Sequence, residues 1–285
     1  MADACALLDT TFETHRDDRR VRVARLGSGS PLVLLHGYPD NLQIWCKLAP
    51  RLAERFHVIA FDWPGMGQSD AWPGGATPYH MADRLLELMD FWALERPGIV
   101  AMDMGAQPAL AFAALHPERV AFLVASNCLA FWDAGTSWEI ELLRRFKWNQ
   151  LILSRFPAVA FRRAETTFLP RGFKLEPVLR ADLWQSFKRE DVRRFIIRMC
   201  AGYQGTLPKL PELYGAISCP TLVLWAQGDK HFPPVHAVRL QAATPGADLR
   251  IIEGAEHWMV LHLASALAGE IHRFADAQLV DPGVC

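Results

Sequence analysis

The 285-residue sequence lacks the features that mark several common classes of protein. No uncharged apolar run is long enough to span a bilayer, and the first residues carry no basic segment of the kind that opens a signal peptide. The six cysteines contain no C-x-x-C pair, and 30 Lys and Arg residues nearly balance 31 Asp and Glu residues. We therefore expect a cytoplasmic protein with reduced thiols that binds neither nucleic acid nor a membrane.

Cofactor motifs are also missing from the sequence. The glycine-rich segment 62–70 follows an apolar strand, but its glycines do not have the G-x-G-x-x-G spacing and no helix opens at the turn. No metal, nucleotide or flavin motif is found. The sequence therefore predicts no cofactor and no metal.

What the sequence does contain is an alternation of short apolar strands with amphipathic helices. Residues 10–26 alternate in the manner of a hairpin of edge strands, and helices are predicted near 80–93, 106–116 and 261–274. Strands alternating with helices indicate a mostly parallel sheet, an α/β fold. The other predicted strands cover residues 31–35, 57–61, 98–102, 120–125, 220–225 and 249–252.

One long segment departs from this alternation. From residue 131 to residue 215 the charge rises, strand-like runs disappear and aromatic residues recur at helical spacing. This predicts a helical cap domain over 131–215, inserted into a core domain that is built from 1–130 and 216–285.

The segment 101–105 joins a buried strand to a helix through a sharp turn. A nucleophile elbow has this shape and is written G-x-S-x-G, with the nucleophile on a strained turn above the sheet. Here the central residue is the carboxylate Asp103, and Ala101 replaces the first glycine. Taken alone, the turn is equally consistent with Asp103 capping the following helix.

Three acid or base residues follow three different predicted strands: Asp103, Asp229 and His257. Taken singly, Asp229 is consistent with an ordinary turn residue and His257 with a surface histidine. The order nucleophile, acid, histidine is, however, the order of a catalytic triad on an α/β sheet. The three residues together therefore favour a triad.

Further motifs surround these residues, at 36–39, 62–70, 102–105, 116–120, 219–225, 228–229 and 254–257. On them the sequence resembles the α/β-hydrolase-fold enzymes with an aspartate nucleophile, namely epoxide hydrolases, haloalkane dehalogenases and haloacetate dehalogenases. The resemblance covers nearly the whole chain outside the insertion. It implies an α/β-hydrolase fold, with a mostly parallel central sheet flanked by helices and an inserted helical cap.

The resemblance also implies two-step chemistry at Asp103. The carboxylate would open an sp³ carbon that bears a leaving group and form an alkyl ester. Water activated by His257, which Asp229 orients, would then attack the ester carbonyl. The backbone amides of Tyr38 and Met104 are implied as donors to the oxyanion.

Substrate contacts are expected from residues around the triad. Epoxide hydrolases donate a proton to the opening ring oxygen from cap tyrosines, and Tyr203 resembles the second of these, whereas the first has no match. Tyr203 is equally consistent with a packed tyrosine. Trp148 is a candidate N–H donor, although packing on a helix is the commoner fate of a tryptophan. Further substrate-binding residues are expected at His36, Asn127 and Trp258.

One subfamily is disfavoured. Haloacetate dehalogenases carry their acid after the strand that here ends at Asn127, and an amide cannot hold an imidazolium electrostatically. They also place arginines just after the nucleophile, where this chain has Met104 and Gln107. A small anionic haloacid is therefore not expected, and the site is expected to be apolar.

Three functions stay open at this point. The first is an epoxide hydrolase that acts on an apolar small molecule, and the second is a haloalkane dehalogenase, which shares the chemistry up to the leaving group. The third is a non-hydrolytic or binding member of the fold in a biosynthetic pathway. A serine esterase ranks low because the elbow has no serine. A homodimer is left open as the assembly.

Overall fold

The computed structural model describes residues 6–144 and 146–279. Within these residues, an eight-stranded sheet has the order β1-β2-β4-β3-β5-β6-β7-β8. β2 pairs antiparallel with β1 and β4, and all other neighbours are parallel. The strands are β1 (Thr11–Thr14), β2 (Arg20–Leu26), β3 (Ser30–Leu35), β4 (Phe56–Phe61), β5 (Gly98–Met102), β6 (Phe122–Ser126), β7 (Thr221–Ala226) and β8 (Asp248–Ile252).

The helices fall into two groups along the chain. The first group flanks the sheet: α1 (Ala49–Leu52), α2 (Pro78–Phe91) and α3 (Ala106–Leu115), followed after the insertion by α9 (Val235–Ala243), α10 (Met259–His262) and α11 (Ala264–Leu279). The second group lies between β6 and β7: α4 (Trp138–Arg144), α5 (Phe146–Arg155), α6 (Pro157–Thr167), α7 (Pro177–Phe187) and α8 (Glu190–Thr206). The α/β-hydrolase architecture with a helical insertion is thus confirmed, whereas the domain boundaries at 131 and 215 stay a prediction.

The central strands place several loops at one edge of the sheet. Leu34 of β3 pairs with Val100 of β5, and Val100 pairs with Val124 of β6. β5 and β6 are buried along their whole length, as expected for strands covered on both faces. Because the carboxyl ends of parallel strands meet at one edge, the loops after β5, β6, β7 and β8 lie close together.

The predicted hairpin is confirmed in part. β1 pairs antiparallel with β2, with Thr11 opposite Val23. Val23 also lies opposite Phe61 of β4, so β2 lies inside the sheet and β1 alone of the two is an edge strand. The expectation of two edge strands is wrong for β2, because strand alternation does not reveal a second pairing partner.

A largely buried polar network attaches α7 to the core. The guanidinium of Arg22 on β2 donates two hydrogen bonds to Asp182 of α7, at 3.1 and 2.9 Å. Nδ2 of Asn41 donates to Asp182 at 2.8 Å and to Ser186 at 2.8 Å. Charge-assisted bonds of this kind are strong and directional. They position one side of the insertion above the carboxyl edge of the sheet.

The cysteines only partly follow the expectation from the sequence. Cys128, Cys200 and Cys219 are free and buried, but Cys46 is in a disulfide. The expectation of reduced thiols is therefore wrong for Cys46, whose pairing cannot be read from sequence spacing. Across 6–144 and 146–279, no helix combines the length and apolar character needed to cross a membrane. A cytoplasmic location stays a prediction.

Candidate active site

Asp103 lies at the turn between β5 and α3. Its φ of +51° is in the left-handed region, which a residue with a Cβ atom adopts only when its surroundings impose it. A Cβ atom on Gly105 would lie 2.4 Å from the carbonyl oxygen of His36, and one on Gly37 would lie 2.4 Å from Cβ of Asp103. The Asp103 side chain does not cap α3, whose N-cap residue is Gly105. The strained turn therefore depends on two glycines and holds the carboxylate at the sheet edge.

The three residues of the predicted triad come together. Nε2 of His257 lies 3.2 Å from Oδ2 of Asp103, and Nδ1 of His257 lies 2.7 Å from Oδ2 of Asp229. All three side chains are buried. The backbone amides of His231 and Phe232 donate to Oδ1 of Asp229 at 2.8 and 2.9 Å. Asp229 is thus fixed on one side by the backbone and orients the imidazole on the other.

The charges around His257 control its protonation. Burial lowers the pKa of His257, but the negative charge of Asp229 and the contact with Asp103 outweigh burial and raise this pKa to about 10. While both carboxylates are charged, the imidazole is therefore held in its protonated form.

One of the two expected oxyanion donors contacts Asp103. The backbone N–H of Tyr38 donates to Oδ1 of Asp103 at 2.9 Å. Met104 follows Asp103 in the turn, and both residues line one small cavity. Its amide as the second donor stays a prediction.

A small cavity of about 40 Å³ adjoins Asp103. It is lined by Asp103, Met104 and Gln107 from the core and by Tyr203 from α8 of the insertion. Burial raises the pKa of Tyr203 well above its ordinary value, so the phenol keeps its proton. The structure thus places the predicted tyrosine in the same cavity as Asp103.

A larger cavity of about 320 Å³ lies between the insertion and the core. Its wall is mainly apolar, and Tyr38, Ile140 and Leu143 line both this cavity and the small one. The two spaces therefore adjoin each other. A bound molecule can place its reactive end against Asp103 and an apolar tail in the larger cavity. Other members of the wall are Trp138, Ile152, Phe156, Val159 and Phe168.

His36 and Asn127, which the sequence suggested as substrate contacts, instead hold loops in place. His36 is fully buried, with Nδ1 3.3 Å from Asp40 and Nε2 accepting from the backbone of Trp63 at 3.2 Å. Nδ2 of Asn127 donates to the carbonyl of His257 at 2.8 Å, and Oδ1 accepts from Ala226 at 2.9 Å. Their polar atoms are engaged by neighbouring loops, so we correct both assignments to a positioning role.

The two predicted tryptophans are also corrected. Trp148 on α5 is 53% exposed and does not line either cavity. Trp258 is fully buried, with its ring edge-on to Phe168 at 5.1 Å between centroids. Neither Trp148 nor Trp258 lines the space beside Asp103. Helical spacing for Trp148 and adjacency to His257 for Trp258 could not show in which direction each indole points.

Sequence reasoning missed His231 and Phe168. The ring of Phe168 lies 4.3 Å from that of His257 and 4.6 Å from that of His231, between centroids. Nδ1 of His231 lies 2.7 Å from the Ser137 hydroxyl, and burial together with the positive charge of His257 lowers the pKa of His231 to about 4. The position of His231 two residues after Asp229 could have indicated that it lies near the triad. No sequence feature indicated Phe168, because it belongs to the insertion.

In the described part of the chain, no group of three His, Cys, Asp or Glu side chains is arranged to hold a metal ion. The groups around Asp103 are those of acid, base and nucleophilic chemistry.

Comparisons with known proteins agree with this geometry at the level of the fold. Over 262 residues the chain is 26% identical to a 2-hydroxy-6-oxononadienedioate/2-hydroxy-6-oxononatrienedioate hydrolase of Cupriavidus pinatubonensis, covering 88% of this chain and 86% of that protein. A soluble epoxide hydrolase of Corynebacterium sp. is 38% identical over 94 residues, which is 33% of each chain. A solved thermophilic esterase of Thermogutta terrifontis superposes with a TM-score of 0.79 at 24% identity, covering 95% of this chain and 99% of the esterase.

A sequence profile described as the alpha/beta hydrolase fold matches residues 30–262, which span the sheet from β3 onward, the insertion and all three triad residues. The chain therefore belongs to the alpha/beta hydrolase fold family.

Proposed function

We propose that this chain is a hydrolase that opens an epoxide on an apolar small molecule through an alkyl ester of Asp103. The observation that supports this most is the placement of one carboxylate. Oδ2 of Asp103 lies 3.2 Å from Nε2 of His257, and Oδ1 accepts the N–H of Tyr38. A carboxylate in the nucleophile position is suited to attack an sp³ carbon.

In the first step, Oδ2 of Asp103 forms a bond to a ring carbon of the epoxide while the bond from that carbon to the ring oxygen breaks. The ring oxygen takes the phenolic proton of Tyr203, which lines the same cavity. The product of this step is an alkyl ester of Asp103 with a neighbouring hydroxyl group.

In the second step, His257 removes a proton from water as the water oxygen attacks Cγ of Asp103. The negative charge develops on Oδ1, where the backbone N–H of Tyr38 already donates. Collapse of this intermediate breaks the ester bond, and the departing alkoxide takes a proton from His257. The second proton of the water is left on the Asp103 carboxyl group and returns to the Tyr203 phenolate, so the diol is released with Asp103 ionised and Tyr203 neutral again.

The first step itself prepares His257 for the second. Esterification removes the negative charge of Asp103, one of the charges that raise the pKa of His257. The pKa of His257 therefore falls when the ester forms, and the imidazole can lose its proton and act as the base. Coupling of this kind restricts water activation to the ester intermediate.

Epoxide opening is favoured over halide release by the donors near Asp103. The phenol of Tyr203 can protonate an alkoxide, whereas the indole of Trp148, a candidate halide donor, lies away from the cavity. The partial likeness to a soluble epoxide hydrolase adds support from sequence. Haloalkane dehalogenation stays the second candidate, because both reactions share the ester on Asp103.

A single turnover in ¹⁸O-labelled water, with enzyme in excess over epoxide, tests the proposal. Water attacks Cγ of Asp103, so the label is expected in the peptide that contains Asp103, while the diol carries none. Asp103→Ala should be inactive and is the control for the labelled peptide. Label in the diol with an unlabelled Asp103 peptide would contradict the proposal, and halide release with a labelled peptide would favour the dehalogenase.

A further inference from the structure

Gln107 is a buried polar residue that lines the small cavity beside Asp103. The residue is 2% exposed, and its Oε1 has no hydrogen-bond partner among the residues that the structure describes. Buried polar side-chain atoms in native proteins nearly always have a partner, so an orphaned one calls for an explanation. Because Gln107 lines the space beside Asp103, a bound molecule is in position to supply that partner.

The position of Gln107 limits which part of a substrate it can reach. It lies in the first turn of α3, one helical turn beyond Asp103, and therefore belongs to the same wall as the nucleophile. Displacement at an sp³ carbon expels the leaving atom on the side opposite to the attacking oxygen. That side faces the insertion, which contributes Tyr203. From these relationships we infer that Gln107 faces the attacked carbon, whereas Tyr203 faces the departing oxygen.

The chemistry of the amide limits the partner further. A hydroxyl group can donate to Oε1 and can accept from the amide nitrogen, so it matches either orientation of the amide. A carboxylate has less reason to bind, since Arg144, which lines the same cavity, is already paired with Glu141 at 2.6 Å. A neutral hydroxyl group is therefore the best match.

We propose that Gln107 determines specificity by binding a hydroxyl group on the carbon next to the epoxide ring. This inference rests on the proposed function, because the orientation of the substrate is deduced from the proposed attack of Asp103 on the epoxide. The substrate class is then a 2,3-epoxy alcohol with an apolar tail. The larger cavity, of about 320 Å³, accommodates roughly ten water-sized groups, enough for a medium-length alkyl tail.

Two substrates of matched shape test the proposal by kinetics. 2,3-Epoxyoctan-1-ol and 3,4-epoxynonane differ by a hydroxyl in place of a methyl group. In Gln107→Met, which keeps the length of the side chain but removes the amide, kcat/KM for the epoxy alcohol should fall about tenfold, the effect of one hydrogen bond. The epoxyalkane lacks the hydroxyl group, so any fall in its kcat/KM should be clearly smaller than this tenfold loss. Equal losses on both substrates would overturn the proposal, because Gln107 would then act only through packing.

Gln241 offers a matched control. Its amide donates to the carbonyl of Ala247 at 3.2 Å, on α9 outside both cavities. Gln241→Met should leave both kcat/KM values unchanged. A tenfold selective loss in Gln241→Met would also overturn the assignment to Gln107.

A second readout does not depend on turnover. The side-chain NH₂ signals of Gln107 can be assigned in a ¹H–¹⁵N correlation spectrum by their absence in Gln107→Met. Octane-1,2,3-triol, the product of the epoxy alcohol, should shift these signals, and nonane-3,4-diol should shift them much less. A selective shift without any epoxide turnover would keep the proposed contact and contradict the proposed reaction. Turnover with equal shifts would keep the reaction and overturn the contact.

Discussion

The backbone N–H of Tyr38 donates to Oδ1 of Asp103 at 2.9 Å, and this contact divides the work of the carboxylate between its two oxygens. Oδ1 is held where negative charge would develop during ester hydrolysis. Oδ2 lies on the side of His257 and is the attacking atom in the proposed mechanism. Asp103 makes both contacts from a backbone conformation with a φ of +51°.

Replacement of the base should stop the reaction at the ester. His257→Gln removes the group that activates water but keeps Asp103 and Tyr38, so the first step should proceed and the second should not. Mass spectrometry should show the Asp103 peptide heavier by the mass of the epoxide. His80→Gln on the exposed surface is the control and should turn over normally. Normal turnover by His257→Gln would rule out His257 as the base.

The phenol of Tyr203 should matter for ring opening. Tyr203→Phe removes the proton donor from the cavity, and the rate of ester formation in a single turnover should fall about a hundredfold, the lower end for general acids. Tyr79→Phe, at a half-buried tyrosine that lines neither cavity, is the comparison. Equal rates in wild type and Tyr203→Phe would assign Tyr203 to packing alone.

The attachment of α7 should contribute to stability. Asp182→Ala leaves the guanidinium of Arg22 with Asp62 at 3.8 Å as its remaining ion-pair partner and with the Thr10 hydroxyl at 3.2 Å as a neutral acceptor, and both Arg22 and Asp62 are buried. Loss of one member of a buried ion pair costs about 3 kcal/mol, which urea unfolding should detect. Asp191→Ala breaks the exposed pair with Arg189 and should cost less than about 1 kcal/mol. Equal losses would show that the buried network adds nothing specific.

The buried His231 should make the fold sensitive to acid. Its pKa is about 4 in the folded protein and about 6.5 when unfolded, so between these values the unfolded chain binds more protons. This contribution to stability is complete above pH 6.5 and is lost as the pH falls toward 4, by about 3 kcal/mol. His231→Gln should flatten the pH dependence of the free energy of unfolding in this window. An unchanged slope would mean that His231 is not the group responsible.

Much of the fold and the order of the triad could be predicted from local patterns. Apolar runs and their spacing located the strands, because burial on both faces requires continuous apolar sequence. The turn at Asp103 and the acid–base residues after β7 and β8 could be placed at one edge, because parallel strands share their carboxyl edge.

The residues that line the cavity beside Asp103 could not be predicted in the same way. His36 and Asn127 follow strands just as Asp103 does, but backbone groups of neighbouring loops engage their polar atoms. Trp148 lies on a helix of the insertion that turns it toward solvent, while Phe168 from the same insertion packs on His257.

The sheet, the insertion and the chain order of Asp103, Asp229 and His257 could be predicted from sequence, since they depend on hydrophobic periodicity and on residues close to strand ends. Only the tertiary structure decided which side chains surround Asp103. That choice depends on how the insertion packs against the core, and it therefore brings together residues such as Gln107 and Tyr203 that share no local pattern.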